Sequence, residues 1–191
     1  MSADKTAILH RVIQLVRRGD IEPACETLRG EYPFVPMIPE GRRYTESQSL
    51  RVFLRDGFVD RYTGKRLMFP GILRLLFRLF PTEFPFHPNW KMSETHPAYW
   101  ELFPTIDHVI PVTRGGADHE ENWVTTAMVQ NAAKANWTLA ELGWVLHPPG
   151  VLSEWDGLTA LFVELIESDR SVLEDTYLRR WYRAAKPCRL I

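Results

Sequence analysis

Cysteine is scarce in this chain of 191 residues: there are two, Cys25 and Cys188, far apart and outside any C-x-x-C pair. That excludes a disulfide-dense framework and a cysteine-held structural zinc, and makes a reducing, cytoplasmic setting the default expectation. Long apolar runs are missing too. No stretch approaches the ~20 residues that span a bilayer, and the opening MSADKTAILHRVIQLVRRGD alternates charged and apolar residues, unlike a signal peptide. No membrane partner is expected. Net charge is nearly absent at −1, so the overall electrostatics do not announce a nucleic-acid binder.

The distribution of charge says more than its sum. From Arg42 to Arg78 there are nine basic residues against three acidic ones, and the last sixteen residues add five more bases and no acid. Between them, Val151 to Asp175 carries seven acids and one arginine. Such asymmetry gives a basic face and an acidic back, or simply well-solvated helix surfaces.

Hydrophobic periodicity predicts a mainly helical chain in one domain, with helices at 4–30 that break at Gly19-Asp20 and stop at Gly30. A proline-punctuated extended stretch follows. A short helix is then expected with Thr45 or Ser47 as its cap. FVDRYTGKRLMFP reads as a hairpin turning at Thr63-Gly64, and GILRLLFRLFP as a helix opened by Pro70. Residues 81–104, rich in proline and aromatics, are too apolar for a linker; Trp90, Tyr99, Trp100 and Phe103 are expected to pack. Two strands flank a loop between 105 and 128, a helix starts near Val129, Thr138 and Glu141 form a capping pattern, and two amphipathic helices close the chain. The expected divisions are a helical region at 1–50, hairpin, helix and aromatic connection at 51–104, a small core at 105–146 and terminal helices at 150–191. The fold class is α+β, mainly helical around that small core.

The segment TIDHVIPVTRGGADHEEN, residues 105–122, invites a chemical reading. Asp107 and His108 end a β-branched strand with side chains on opposite faces, while Asn131 and Lys134 are i and i+3 on the following helix. A helix laid across an antiparallel pair brings Asp107 and Asn131 together. Two oxygen ligands suit a hard divalent ion whose other ligands are water and phosphate oxygens. Histidine, with an ordinary pKa of about 6.5, suits proton abstraction from water near neutrality. Oxygen-held metal beside a histidine base is a phosphodiester-cleaving combination.

Asp107-His108-Val109-Ile110-Pro111, Arg114-Gly115-Gly116, Glu121-Asn122 and Asn131-Ala132-Ala133-Lys134 follow in order, and over residues 105–137 this pattern resembles the ββα-metal core of HNH endonucleases. The upstream RYTGKRL is similar to the knuckle that often precedes that core. The resemblance implies a metal-dependent endonuclease with His108 as general base, Asp107 and Asn131 as metal ligands, Asn122 closing the loop and fixing the histidine, and Lys134 on phosphate. Magnesium or manganese is the implied ion, because Asn131 stands where many relatives have histidine. Tyr62-Thr63-Gly64-Lys65 stands where relatives carry a cysteine knuckle, so no structural zinc is expected. The substrate implied is nucleic acid, DNA before RNA.

Arg61, Lys65 and Arg66 on the expected hairpin are further candidate phosphate contacts. Arg114 reads equally well as a phosphate contact or as a solubilising loop residue. His119 is expected to be exposed, His87 and His96 to serve turns or core, and Trp123 and Trp137 to pack. Two other readings stand beside the enzyme: a nucleic-acid-binding module with an inert core of this type, and a helical protein-interaction protein. A homodimer through the terminal helices would permit paired nicks.

Overall fold

The computed structural model describes residues 4–34 and 44–190. The sequence expectations for residues 35–43, including the basic pair Arg42 and Arg43, lie outside the described residues. The chain divides into two compact units, residues 1–41 and 42–191.

The first unit is a helical pair, α1 (Lys5–Arg18) and α2 (Ile21–Glu31). Asp4 caps α1 by accepting from the amides of Thr6 and Ala7 at 3.0 and 3.2 Å. Ile8, Val12 and Ala24 are buried, and Arg11 pairs with Glu31. α2 runs one residue past Gly30, the stop expected from sequence.

The second unit begins with α3 (Glu46–Arg55), whose cap is Thr45 rather than Ser47: Thr45 Oγ1 accepts from the Gln48 amide, and the Gln48 side chain accepts from the Thr45 amide. The expected hairpin at 58–70 shrinks to one bridge between Val59 and Arg66. Its cause is Asp60, whose carboxylate accepts the Tyr62 amide at 2.8 Å while its carbonyl accepts the Gly64 amide at 2.8 Å, curling the segment into a compact turn. α4 (Pro70–Leu79) follows, with Pro70 in the first turn where no amide is lost.

The connection after α4 is ordered and aromatic, as its composition requires. Trp90 makes edge-to-face contacts with Phe86, Tyr99, Trp100 and Phe103, around a short α5 (Ala98–Glu101). His87 and His96 each accept a nearby backbone amide through Nδ1, so both serve turns.

Strands β1 (Pro104–His108) and β2 (Trp123–Ala127) form a two-stranded antiparallel sheet, in register from Pro104 opposite Ala127 to His108 opposite Trp123. Then come α6 (Met128–Lys134), α7 (Leu139–Leu142), α8 (Thr159–Ser168) and α9 (Thr176–Ala185). α8 starts seven residues later than its hydrophobic pattern suggests, because the Asp156 carboxylate accepts the amides of Leu158 and Ala160 and fixes a turn there. The fold is mainly helical α+β, and the described residues are 55% helical with a single two-stranded sheet among them.

The core lies between α3, α4, α8 and α9, with the wholly buried Phe69 at its centre, 4.9 Å from the Phe162 ring and 5.3 Å from that of Trp181. The outer edge of β2 packs toward α3. Asp56 accepts the Thr125 amide at 2.7 Å, Asp60 accepts the Ala127 amide at 3.1 Å, and Arg61 donates its own amide to Thr125 O at 2.9 Å. Two buried aspartates thus satisfy the strand edge that a two-stranded sheet would otherwise leave open.

Candidate active site

The site grows from the β1–loop–β2–α6 unit. β1 is too short to carry the chain far beyond His108, and the loop that follows must return within fourteen residues to put Trp123 opposite His108. Asn122 closes it: its Nδ2 donates to Ile110 O and Ala117 O at 2.8 and 2.9 Å, and its Oδ1 accepts the Ile110 amide at 2.9 Å. All the hydrogen-bonding directions of one amide side chain but one are used on a single loop. Gly115 turns through the left-handed region at φ 87°, and a Cβ on Gly116 would sit 1.9 Å from Ile110 O. The Gly-Gly pair is therefore required by the loop's closure.

Asp107 and His108 point to opposite sides of β1, as strand alternation demands. On one side, Asp107 Oδ2 accepts the Tyr62 hydroxyl at 2.6 Å and lies 2.9 Å from Lys134 Nζ. Lys134 is wholly buried, also donates to His108 O at 2.7 Å, and lies 5.7 Å from the centre of the Tyr62 ring. A buried ammonium held by a carboxylate, a carbonyl and an aromatic face is fully compensated. The expected phosphate contact for Lys134 is therefore corrected: its charge is turned inward and ties α6 to the end of β1. Burial, with the negative charges of Asp107 and Asp60 around it, keeps the Tyr62 hydroxyl protonated far above the ordinary tyrosine range.

Asn131 shares the helix face of Lys134 and is tied to the same strand. Its Nδ2 donates to Ile106 O at 3.1 Å and to Thr105 Oγ1 at 3.0 Å. A carbonyl only accepts, so the amide nitrogen must face Ile106 and the amide oxygen points elsewhere. Both contacts to Asp107 fall on Oδ2. Oδ1 of Asp107 and Oδ1 of Asn131 carry no hydrogen bond among the described residues, which leaves two hard oxygen donors on neighbouring elements. That donor set fits a magnesium- or manganese-type ion completed by water and phosphate oxygens. Among the described residues no three histidine, cysteine or acidic side chains gather to hold a metal alone.

On the other side of β1, His108 is largely covered, its side chain 9% exposed. Its Nε2 lies 2.8 Å from Asp118 Oδ1 and 3.1 Å from Trp123 Nε1, and Trp123 Nε1 also donates to Asp118 Oδ1 at 3.0 Å. The Tyr44 hydroxyl reaches the same oxygen at 3.2 Å, with its ring edge-on to Trp123. Burial alone would raise the Asp118 pKa; the hydrogen bonds from His108, Trp123 and Tyr44 outweigh it and hold the carboxyl below its ordinary value.

The remaining candidates scatter. Arg61 is turned inward on Asp56 and His147 O and is corrected from a phosphate contact to scaffold, while Arg66 is exposed with its guanidinium 5.5 Å from the centre of the Trp155 ring. Lys65 is exposed on the turn, and Arg114 is exposed 3.6 Å from Glu141. His119 is exposed as expected. Trp123 is buried as expected, whereas Trp137, expected to pack, is 43% exposed just beyond α6. Sequence reasoning missed Tyr62, Asp118 and Tyr44. Asp118 stood beside His119 in the loop, ten residues from His108, and only the closure of the loop brings it back. Tyr62 was visible only as part of the knuckle.

No family model, no curated protein and no solved structure matches this chain.

Proposed function

We propose that this protein is a divalent-metal-dependent endonuclease of the HNH type, hydrolysing phosphodiester bonds in nucleic acid, DNA before RNA. The observation that carries the reading is the anchoring of Asp107, His108 and Asn131 on one strand end: Asp107 and His108 within β1, and Asn131 hydrogen-bonded from α6 to Thr105 and Ile106 of the same strand.

In this reading Asp107 and Asn131 offer their Oδ1 atoms to the ion. When bound, the ion supplies positive charge to the scissile phosphate and the leaving 3′ oxygen. His108 takes the proton of the attacking water. Asn122 holds the loop around Ile110, so the backbone just beyond the base cannot drift. Tyr62 and Lys134 fix the Asp107 carboxylate by its other oxygen and so aim Oδ1. The two free thiols, Cys25 and Cys188, accord with a cytoplasmic setting. No helix among the described residues is long and apolar enough to cross a membrane.

One observation favours a second reading, a nucleic-acid-binding module with an inert core. The Lys134 ammonium 2.9 Å from Asp107 already supplies a positive charge where the ion would bind. Supercoiled plasmid separates the two. Wild type should nick or linearise it only with magnesium or manganese, and His108→Ala and Asp107→Ala should not. Salt-sensitive binding with no cleavage of plasmid, single strands or RNA would select the inert module. Sedimentation in the same buffer reads whether the working species is a homodimer.

A further inference from the structure

Asp118 is the acidic group nearest the imidazole of His108, and the geometry around it is overdetermined. His108 Nε2 and Asp118 Oδ1 are 2.8 Å apart, a distance at which two bare lone pairs repel and a shared proton is required. The Trp123 indole N–H and the Tyr44 hydroxyl, 3.0 and 3.2 Å from Asp118 Oδ1, favour the ionised carboxylate and keep that proton off it. The proton therefore belongs to Nε2. The Trp123 indole N–H lies within reach of both His108 Nε2 and Asp118 Oδ1; with Nε2 protonated it can only donate to Asp118. The Tyr44 hydroxyl reaches the same oxygen, so that three donors converge on it. Among the described residues no hydrogen bond reaches His108 Nδ1.

We propose that Asp118 is the positioning residue of His108: it holds the imidazole as the Nε2–H tautomer and leaves the basic lone pair on Nδ1, which takes the proton from water. The proposal rests on the reading of His108 as general base. Asp118 acts through the ring, as a carboxylate orienting a histidine does in other hydrolytic sites. Its place on the Gly-Gly loop gives that loop a second task. The loop's closure by Asn122 carries Asp118 back from ten residues downstream to the far side of the ring. Trp123 is a partner in this: it sits opposite His108 in the strand register, and its N–H helps keep Asp118 in place.

The test reads the tautomer itself. Long-range proton–nitrogen correlation spectra of the full-length protein, recorded about 1.5 pH units above the ordinary imidazole pKa of about 6.5, separate protonated from bare ring nitrogens. His108→Ala identifies the signals. In wild type, Nε2 should appear protonated and Nδ1 bare; in Asp118→Asn the two forms should mix or reverse, and Asp118→Glu should return the Nε2–H signal. Nδ1–H in wild type, or an Asp118→Asn spectrum identical to wild type, would overturn the proposal. The spectrum needs no cleavage, so a protein that proves to cut nothing loses the nuclease reading while the tautomer assignment is still decided. Where cleavage is seen, Asp118→Asn should lower kcat by roughly 10²-fold with KM unchanged. A parallel loss of midpoint and substrate binding with the wild-type tautomer retained would make Asp118 a loop-stabilising residue only.

Discussion

At the scale of single residues, the buried pair Lys134–Asp107 is the most exacting feature of the protein. Lys134 is wholly enclosed, and among the described residues its charge is balanced by Asp107, the His108 carbonyl and the Tyr62 ring. Breaking a buried pair from one side leaves an uncompensated charge and costs about 3–5 kcal/mol, whereas removing both partners costs much less. Lys134→Ala should therefore lower unfolding stability by about 3–5 kcal/mol, and Lys134→Ala combined with Asp107→Ala should recover part of that loss. Urea denaturation of the four proteins closes the cycle; equal and additive losses would mean that the two charges do not interact. The placement of Asp107, His108, Asn122 and Asn131 about one strand–loop–helix unit was legible in the sequence because their spacing is set by a strand, a loop and a helix, each with a local signature. The direction of Lys134 was not. An i, i+3 relation to Asn131 places it on a face but does not say that the face is turned to the strand, and a lysine read alone is an exposed cation. Tyr62 and Asp118 were hidden for a related reason: each reaches the site through a turn whose closure no local pattern reports.

At the scale of elements, caps and turns decided the boundaries that hydrophobic periodicity could not. Thr45 and Thr138 open their helices through reciprocal capping boxes, a pattern readable from sequence. Asp156 and Asp60 instead redirect segments whose apolar pattern continued through them, which is why α8 starts late and the expected hairpin is one bridge. α9 opens at Asp175, which accepts the amides of Tyr177 and Leu178 and holds Arg74 of α4 at 2.9 Å. Burial alone would raise the Asp175 pKa, but the hydrogen bond and charge of Arg74 more than offset it, so the folded pKa lies below the unfolded one. The stability this group contributes is then complete above the unfolded value of about 3.9 and is lost as pH falls through the depressed folded value. Asp175→Asn, which keeps a capping oxygen and removes the charge, should be less stable than wild type at neutral pH. The gap should narrow as pH falls below about 4. Urea midpoints measured between neutrality and strong acid test this; a gap independent of pH would assign the loss to packing. Asp175→Ala removes the cap as well and should cost about 0.5–2 kcal/mol further.

At the scale of the whole molecule, charge is where sequence and structure part most clearly. The nine bases between Arg42 and Arg78 read as a basic face or as solvated helix surface, yet the fold turns several of them onto its own acids. Arg51 pairs with Glu120 of the loop, Arg55 and Arg61 with the buried Asp56, Arg74 with Asp175, and Arg66 rests on Trp155. A linear count of charges cannot show this, because every one of these contacts except Arg55–Asp56 and Arg61–Asp56 joins residues more than sixty positions apart. Arg51 and Arg55 have a further consequence: with Arg55 also donating to Glu120 O and Trp123 O, they fasten the loop and the start of β2 to α3, so the basic segment braces the candidate site from behind. A protein whose arginines are held this way should engage few phosphates. Each phosphate neutralised contributes about −0.9 to the slope of log K against log salt concentration on duplex DNA. For two to four contacts the slope should lie between roughly −2 and −4, shallow for a protein that binds duplex DNA. Fluorescence anisotropy with His108→Ala, a labelled duplex and a salt series measures it without cleavage. A slope steeper than about −6 would mean that the arginine pairs open on binding and offer their charges to the backbone after all, and Glu120→Gln, which frees Arg51, should steepen a shallow slope by about one contact.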